Sequence, residues 1–340
     1  MASLREIRDH IGSVRSTLKI TSAMKLVASA KLRKAQQAAE SLRDYSDALG
    51  AMLTPVLAAA PGSSAQFREQ NRPFQKERKP VAVVVAVASN SSLCGAFNMN
   101  AARKALETAD ALRKEGFAVE VVAVGRKMSE AMRRSGFPQA GDWSPLVGHA
   151  SFDRTSGLAQ SLLDSYAAGQ CSRVVLVYNH FVSTGSQKAV AEQWLPFEGE
   201  VREESLSERH ATPGSDTPKI SRFSGAPYSQ PFGRDPSPAM GGMSGGAANR
   251  IGEALPPDEF ILEPSANEIL ATLLPQVMRL RLHAAVLDSL AAEHAARTVA
   301  MQAASDNAED LLGELTLEYN KGRQQKITAE ILDLMGGAQR

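Results

Sequence analysis

The feature that most constrains this chain is a seven-residue repeat at its start. Leu4, Ile7, Ile11, Val14, Leu18, Thr21, Lys25, Ala28, Leu32, Ala35, Ala39, Leu42, Ser46, Leu49, Leu53 and Val56 follow one another at alternating spacings of three and four. Apolar or small side chains at that period lay a seam along one face of a helix. No proline falls before Pro55. A helix from Leu4 to Val56 is roughly 80 Å long at about 1.5 Å per residue. That exceeds the width of a small domain, so part of the helix has to stand clear of its own globule.

The other end of the chain repeats the pattern. Leu273, Leu280, Leu287, His294, Met301, Ala308 and Leu315 recur at every seventh position, and Val277, Ala284, Ala291, Thr298, Ser305, Leu312 and Tyr319 supply a second column. The second column is small through its middle, which lets a partner helix approach closely. Pro275 either kinks or begins this helix, and Gly336-Gly337 ends it. Two such helices suggest one antiparallel coiled coil; the alternative is two separate amphipathic helices packed on the middle of the chain. Seven-residue spacing sustained past ~25 residues favours the coiled coil.

The middle reads as α/β. Val81 to Val87 is a continuous β-branched run, as in a strand buried on both faces. Helical stretches near Asn98 to Gly116, Arg126 to Ser135 and Ser156 to Ala168 alternate with strands at Val119 to Val124 and Arg173 to Tyr178. Lys188 to Leu195 adds an edge strand. That alternation predicts a Rossmann-like domain with a mainly parallel sheet. The expected divisions are an N-terminal coiled-coil helix over 1–60, an α/β domain over 78–200, a flexible Pro/Gly/Ser-rich insertion over 201–257 and a C-terminal coiled-coil helix over 262–340.

Composition excludes more than it identifies. The net charge is +1 over 340 residues, so bulk charge points to neither nucleic acid nor membrane. No run reaches the ~18 apolar residues of a membrane helix, and the charged opening MASLREIRDHIGS is not a secretory signal. Cys94 and Cys171 are too few and too far apart for a disulfide framework.

Little in the sequence can do chemistry. The segment SNSSLCGAFN, Ser89 to Asn98, follows a strand and opens a helix, where a doubly wound sheet places a phosphate loop. It lacks the glycine pattern of such loops and reads better as a tight turn with polar capping. Cys94 has no base assigned to it and reads as a half-buried turn residue. His294, on the seam, reads as a packed and satisfied side chain. No His, Cys, Asp or Glu cluster has metal spacing. No cofactor is expected.

Charge along the first helix is one-sided. Arg15, Lys19, Lys25, Lys31, Arg33 and Lys34 stand in a stretch with no acidic residue between Asp9 and Glu40. A basic face on a projecting helix suits an acidic partner, and the aromatic interleaving of a nucleic-acid binder is missing. Two rival readings, a nucleotide-dependent α/β enzyme with helical arms and a coiled-coil nucleic-acid binder, stay open on these features alone.

The two ends carry a resemblance. LREIRDHIGSVRSTLKITSAMKLVASAKLRKA is similar to the first helix of F-type ATP synthase gamma subunits, and Ser289 to Ala338 to their last helix. Ile327, Thr328, Glu330, Asp333, Gly337 and Ala338 fit the family signature in both identity and spacing. The chain departs from the family at Asn90 and Ser92, where most members have an acidic residue and a glycine. It also departs in the length of the 201–257 insertion, which has no cysteine and so no thiol switch.

The resemblance implies a non-catalytic rotor shaft. The coiled coil would stand inside a hexamer of three alpha and three beta subunits, and the α/β domain would bind the epsilon subunit and the membrane c-ring. The complex would couple proton-driven rotation to ATP synthesis. The chain would be peripheral to the cytoplasmic face of a bacterial plasma membrane, in preference to the matrix side of a mitochondrial one, and would bind no nucleic acid. By family position, Met24 and Lys25 would meet an acidic lever of beta, with Lys25 on an exposed basic face. Arg297 and Gln324 would bond to a loop of one beta subunit, and Arg323 would be a further partner contact. Thr328, Glu330 and Asp333 would run through the upper bearing.

Overall fold

The computed structural model describes residues 3–59, 80–138, 141, 143–148, 150–197 and 262–337. The 201–257 insertion lies outside the described residues. In chain order the elements are α1 (Leu4–Ala59), β1 (Val81–Val87), α2 (Phe97–Lys114), β2 (Ala118–Val124), α3 (Arg126–Arg134), α4 (Pro145–Gly148), α5 (Phe152–Ala167), β3 (Arg173–Ser183), β4 (Ser186–Leu195) and, as α6, Ala266–Gly337.

Both long helices begin on the same sequence device. Ser3 and Glu6 form a capping box: the Ser3 N–H donates to Glu6 Oε2 at 2.9 Å, and the Glu6 N–H donates to Ser3 Oγ at 3.3 Å. Two orphan amide donors are thereby satisfied at the N-terminus. Ser265 accepts from the Glu268 N–H at 3.3 Å in the same Ser-x-x-Glu spacing. α6 runs through Pro275 and α1 through Pro55. Of the two readings of Pro275, that it begins the helix fails, since the helix starts after Ser265, about three turns earlier, and Pro275 lies inside it.

The helices pair antiparallel along the heptad seam. Ile7, Val14, Ala308 and Leu315 form one buried cluster, edged by Ile11, Leu18, Leu312 and Tyr319. Thr21 lies against Ser305, with Ser305 Oγ donating to Thr21 Oγ1 at 2.8 Å. Leu32 packs on Ala291 and Ala295. As α1 advances, its partners on α6 recede, so Leu4 ends opposite Gly322. Every seam residue of α1 is buried or half-buried, whereas Arg15, Lys19, Lys31, Arg33 and Lys34 are exposed. Leu53 is completely buried, and its truncation to alanine would cost about 2–5 kcal/mol.

The sheet has the order β2-β1-β3-β4, with β1 parallel to both β2 and β3, and β4 antiparallel to β3. The all-apolar β1 is explained by burial on both faces. Ala82, Val84 and Ala86 meet Ala101, Ala105 and Ala109 of α2 and Met128 and Met132 of α3. Val83 and Val85, also buried, share the opposite face with their neighbours Val174 and Leu176, and α6 covers that face with α5 beside it. The expected strands are present and three are longer than read: β2 begins one residue earlier and β4 two, and β3 extends five residues past Tyr178, because it forms a hairpin with β4 through Thr184 and Gly185. The short helix α4 went unread; four residues carry too little period to show.

α6 has three zones. From Leu270 to Ala296 it is buried on several sides, inside the α/β domain. From Thr298 to Gly322 its buried residues follow the α1 seam, and at the start of this zone Ala300 also lies beside Gly95 of the β1–α2 loop. Beyond Gly322 every residue whose exposure is described is exposed. Among the described residues no helix is long and apolar enough to cross a membrane.

Candidate functional site

The residues marked out by the sequence do not converge. They occupy three stations along the coiled coil, and Arg297 and Arg323 are separated by roughly 40 Å of helix at 1.5 Å per residue.

The first station is the base of the projecting pair. Arg297 is half-buried, and its guanidinium is engaged within the chain. Nη1 donates to Glu293 Oε1 at 2.6 Å, one turn back, and Nη2 donates to Ser91 Oγ at 2.8 Å. Glu293 is only 5% exposed. Burial raises its carboxyl above the usual 4.5, and the charge and hydrogen bond of Arg297, with help from Lys31, pull it back. His294 beside it is pushed down to about 4, chiefly by burial and then by Arg297 and Lys31. Its Nδ1 has no hydrogen-bond partner. The expectation of a satisfied His294 is corrected here: its Nδ1 is buried beside the cations Arg297 and Lys31, which have no acceptor to offer it.

The β1–α2 loop is a tight turn braced by its own side chains, but the expected polar cap is absent: the N-cap residue of α2 is Ala96, with no side-chain capping bond. Asn98 Oδ1 accepts from the Ser89 N–H at 3.0 Å, and Asn98 Nδ2 donates to the Ser91 carbonyl at 3.2 Å. Asn90 Nδ2 donates to the Ser144 carbonyl at 2.9 Å, and its Oδ1 accepts from the Arg126 N–H at 2.9 Å. Cys94 is 1% exposed, not half-buried, and packs on Phe97, Ala292 and Ala296 of the shaft. Leu93 adopts φ +67° at the tip and is 57% exposed. Asn90 and Ser92, where the chain leaves the family pattern, belong to this loop; the Ser92 carbonyl lies 3.5 Å from Arg297 Nη2. Cys171 is buried and held up at about 11 by that burial, which leaves its thiol protonated and inert.

At the second station Met24 and Lys25 are half-buried. Lys25 does not project from an exposed face. It is a seam residue, and its Nζ donates to Gln302 Oε1 of α6 at 2.7 Å. Gln302 Nε2 in turn donates to Asp306 Oδ1 at 2.6 Å. The heptad position of Lys25 carried that signal, and its charge concealed it.

The third station is the unaccompanied end of α6. Arg323, Gln324, Thr328 and Glu330 are all exposed. Thr328 Oγ1 donates to the Gln324 carbonyl at 2.9 Å, and Lys326 pairs with Glu330 at 3.7 Å. Asp333 falls within α6, and its side chain is outside the described atoms. Ile327, Ile331 and Leu334 form an exposed apolar stripe at helical spacing. Among the described residues no group of three His, Cys, Asp or Glu side chains can hold a metal.

Comparison with known proteins gives one answer over the whole chain. A family model described as ATP synthase matches residues 3–339. The ATP synthase gamma chain of Bacteroides fragilis is 39% identical over 99% of this chain and 99% of its own length. That of Bacteroides thetaiotaomicron is 39% identical with the same coverage of both chains. That of Nitratidesulfovibrio vulgaris is 32% identical over 100% of this chain and 99% of its own. Among solved structures, a chain of the Euglena gracilis mitochondrial ATP synthase has a TM-score of 0.52 at 19% identity, covering 98% of this chain and 92% of its own. A chain of the Tetrahymena thermophila mitochondrial ATP synthase central stalk and c-ring has a TM-score of 0.50 at 20% identity, covering 84% of this chain and 99% of its own. The structures share the fold, the sequences share the ancestry, and this chain belongs to the ATP synthase gamma chain family.

Proposed function

We propose that this chain is the central rotor shaft of an F-type ATP synthase and does no catalysis itself. The observation that carries the reading is the continuity of α6. One 72-residue helix is embedded in the α/β domain at one end, sheathed by α1 in its middle and bare at the other. A body of that form suits the transfer of rotation from a base to a distant tip.

In this reading the bare end of α6 turns inside a hexamer of three alpha and three beta subunits, with the stripe of Ile327, Ile331 and Leu334 as its bearing surface. Arg323, Gln324, Thr328, Glu330 and Asp333 make polar contacts there. The exposed cations of α1, with Met24 beside them, face acidic levers of beta. The α/β domain meets the epsilon subunit and the c-ring, and proton flow through the ring drives rotation. The chain itself lies on the cytoplasmic side of a bacterial plasma membrane. Rotation of an asymmetric shaft biases each beta subunit in turn, which is coupling through differential contacts.

Arg297 takes a different part from the one its family position implies. Its guanidinium already neutralises the buried Glu293 and ties the β1–α2 loop to the shaft. Its first effect is therefore on the shape of the base of the shaft, and any contact with beta follows from that shape.

The test is reconstitution. The purified chain should hydrolyse no ATP, and it should co-elute with separately prepared alpha and beta subunits and give their hexamer coupled turnover. Steady hydrolysis by the chain alone, or its failure to join the hexamer, would overturn the reading.

A further inference from the structure

α1 has α6 as its main packing partner, and α6 is the element that packs on β3, α5, β4 and α2. Rotation applied to the α/β domain therefore reaches the shaft chiefly through the buried stretch of α6. Apolar packing resists separation and, through interdigitating side chains, some rotation about the helix axis, but the attraction itself has no direction. Hydrogen bonds do have direction, and this stretch carries a set of them.

On one side, Arg281 Nη2 donates to Glu192 Oε1 of β4 at 2.7 Å. His180 Nδ1 of β3 donates to Asp288 Oδ2 at 2.6 Å, and the Phe181 N–H donates to Asp288 Oδ1 at 3.0 Å, so both oxygens of one carboxylate are held. On the other side, His283 Nδ1 and Thr155 Oγ1 of α5 share a buried hydrogen bond of 2.8 Å, and Phe152 packs edge-on against the same imidazole at 5.5 Å between ring centres. At about 100° of helix per residue, Arg281 and Asp288 stand within about 20° of each other, while His283 and Arg297 point about 140–180° away. Thr155 is completely buried and His283 nearly so.

We infer that Asp288 and His283 are positioning residues that key the shaft to the α/β domain from opposite sides, so that torque passes between them without rotation of α6 in its seat. This rests on the rotor reading above. Turning the helix either way stretches a bond on each side at once; Thr155 and His283 are buried and have no water to replace the lost partner, and Asp288, 22% exposed, is held by two donors on one carboxylate.

The experiment uses the assembled complex, fixed by its hexamer, with a bead attached to the α/β domain through a cysteine placed at the exposed Lys114. The angular spread of the bead during nucleotide dwells reports the torsional compliance between tip and base. In the double variant Thr155→Val with Asp288→Asn the angular variance should rise roughly twofold, with the unloaded hydrolysis rate unchanged. Each single variant should give an intermediate value, and Thr155→Ser, which restores the hydroxyl, should match wild type.

A wild-type bead that does not rotate would remove the rotor reading itself. A rotating wild type whose double variant shows the same variance would overturn the keys and leave the rotor reading standing. Failure of Thr155→Ser to recover the Thr155→Val effect would assign that effect to packing and also overturn the proposal. Where the double variant does not assemble, the single variants decide the same question.

Discussion

Arg297 Nη1 stands 2.6 Å from Glu293 Oε1, with the two side chains 12% and 6% exposed, so a buried carboxylate at the base of the shaft depends on one guanidinium. Arg297→Ala should destabilise the chain by about 3 kcal/mol, since removing one member of a buried pair leaves the other charge uncompensated. The penalty depends on pH. The Glu293 pKa is raised in the folded chain above the usual 4.5, so its protonated form is the better tolerated one. Stability from such a group is present below its unfolded pKa and is lost as pH rises through its folded pKa. Without Arg297 the folded value climbs further. Urea unfolding should show a large penalty at pH 7.5 that shrinks toward pH 4.5, and Glu293→Gln should recover most of it. A penalty equal at both pH values would place the loss on the Ser91 bond.

His294 works in the opposite direction. Burial, Arg297 and Lys31 push its pKa from 6.5 to about 4. A group whose folded pKa is depressed contributes stability that is full above its unfolded pKa and is lost as pH falls through its folded pKa. Wild type should therefore lose stability relative to His294→Leu between pH 6.5 and 4, by on the order of 2 kcal/mol. At pH 7.5 the variant should already be about 1 kcal/mol more stable, because it removes a buried nitrogen that has no partner. Unfolding midpoints for the two proteins that run parallel with pH would contradict this.

The long helices and the strands of a mainly parallel sheet were legible in the sequence, because each rests on a sustained period. The seam from Leu4 to Val56 and the apolar run of β1 are of that kind. The strand order β2-β1-β3-β4 was not legible, and nor were the contacts of charged residues. Lys25 reads as surface by type and as seam by position, and position wins because Gln302 offers an acceptor across the interface. Arg297 is four residues from Glu293, a spacing visible from the start. Its second bond, to Ser91, joins residues 206 positions apart, and no local pattern encodes it. The Asp288 and His283 bonds are hidden for the same reason.

Glycines of α6 give a paired test of the seam. A Cβ on Gly313 would meet nothing within 4 Å, so Gly313→Ala should gain about 0.5–1 kcal/mol from helix propensity alone. A Cβ on Gly322 would come to 2.9 Å from Leu4 Cδ2. Gly322→Ala has the same propensity gain offset by displacement of Leu4, so its melting temperature should stay near wild type. Equal stabilisation by the two substitutions would mean that α1 does not close on α6 at Gly322.

The last prediction separates the inward from the outward reading of Lys25. Its ammonium donates to Gln302 across the seam, at a position where a lysine fixes the register of a coiled coil more than it adds stability. Lys25→Met keeps most of the apolar stem and removes the charge. The lost bond is partly solvated, so the change in unfolding free energy should stay within about 1 kcal/mol. Turnover of the reconstituted complex should be unchanged, because the exposed cations Arg15, Lys19, Lys31, Arg33 and Lys34 remain to face an acidic partner. Reversing two of those, Lys31→Glu with Lys34→Glu, should instead slow turnover in a way that depends on salt, since exposed charges act across a screened gap. The measurement is turnover at low and high ionic strength for both variants, with assembly checked separately. If Lys25→Met lost turnover while keeping its melting temperature, the ammonium would have to leave Gln302 for a partner during rotation.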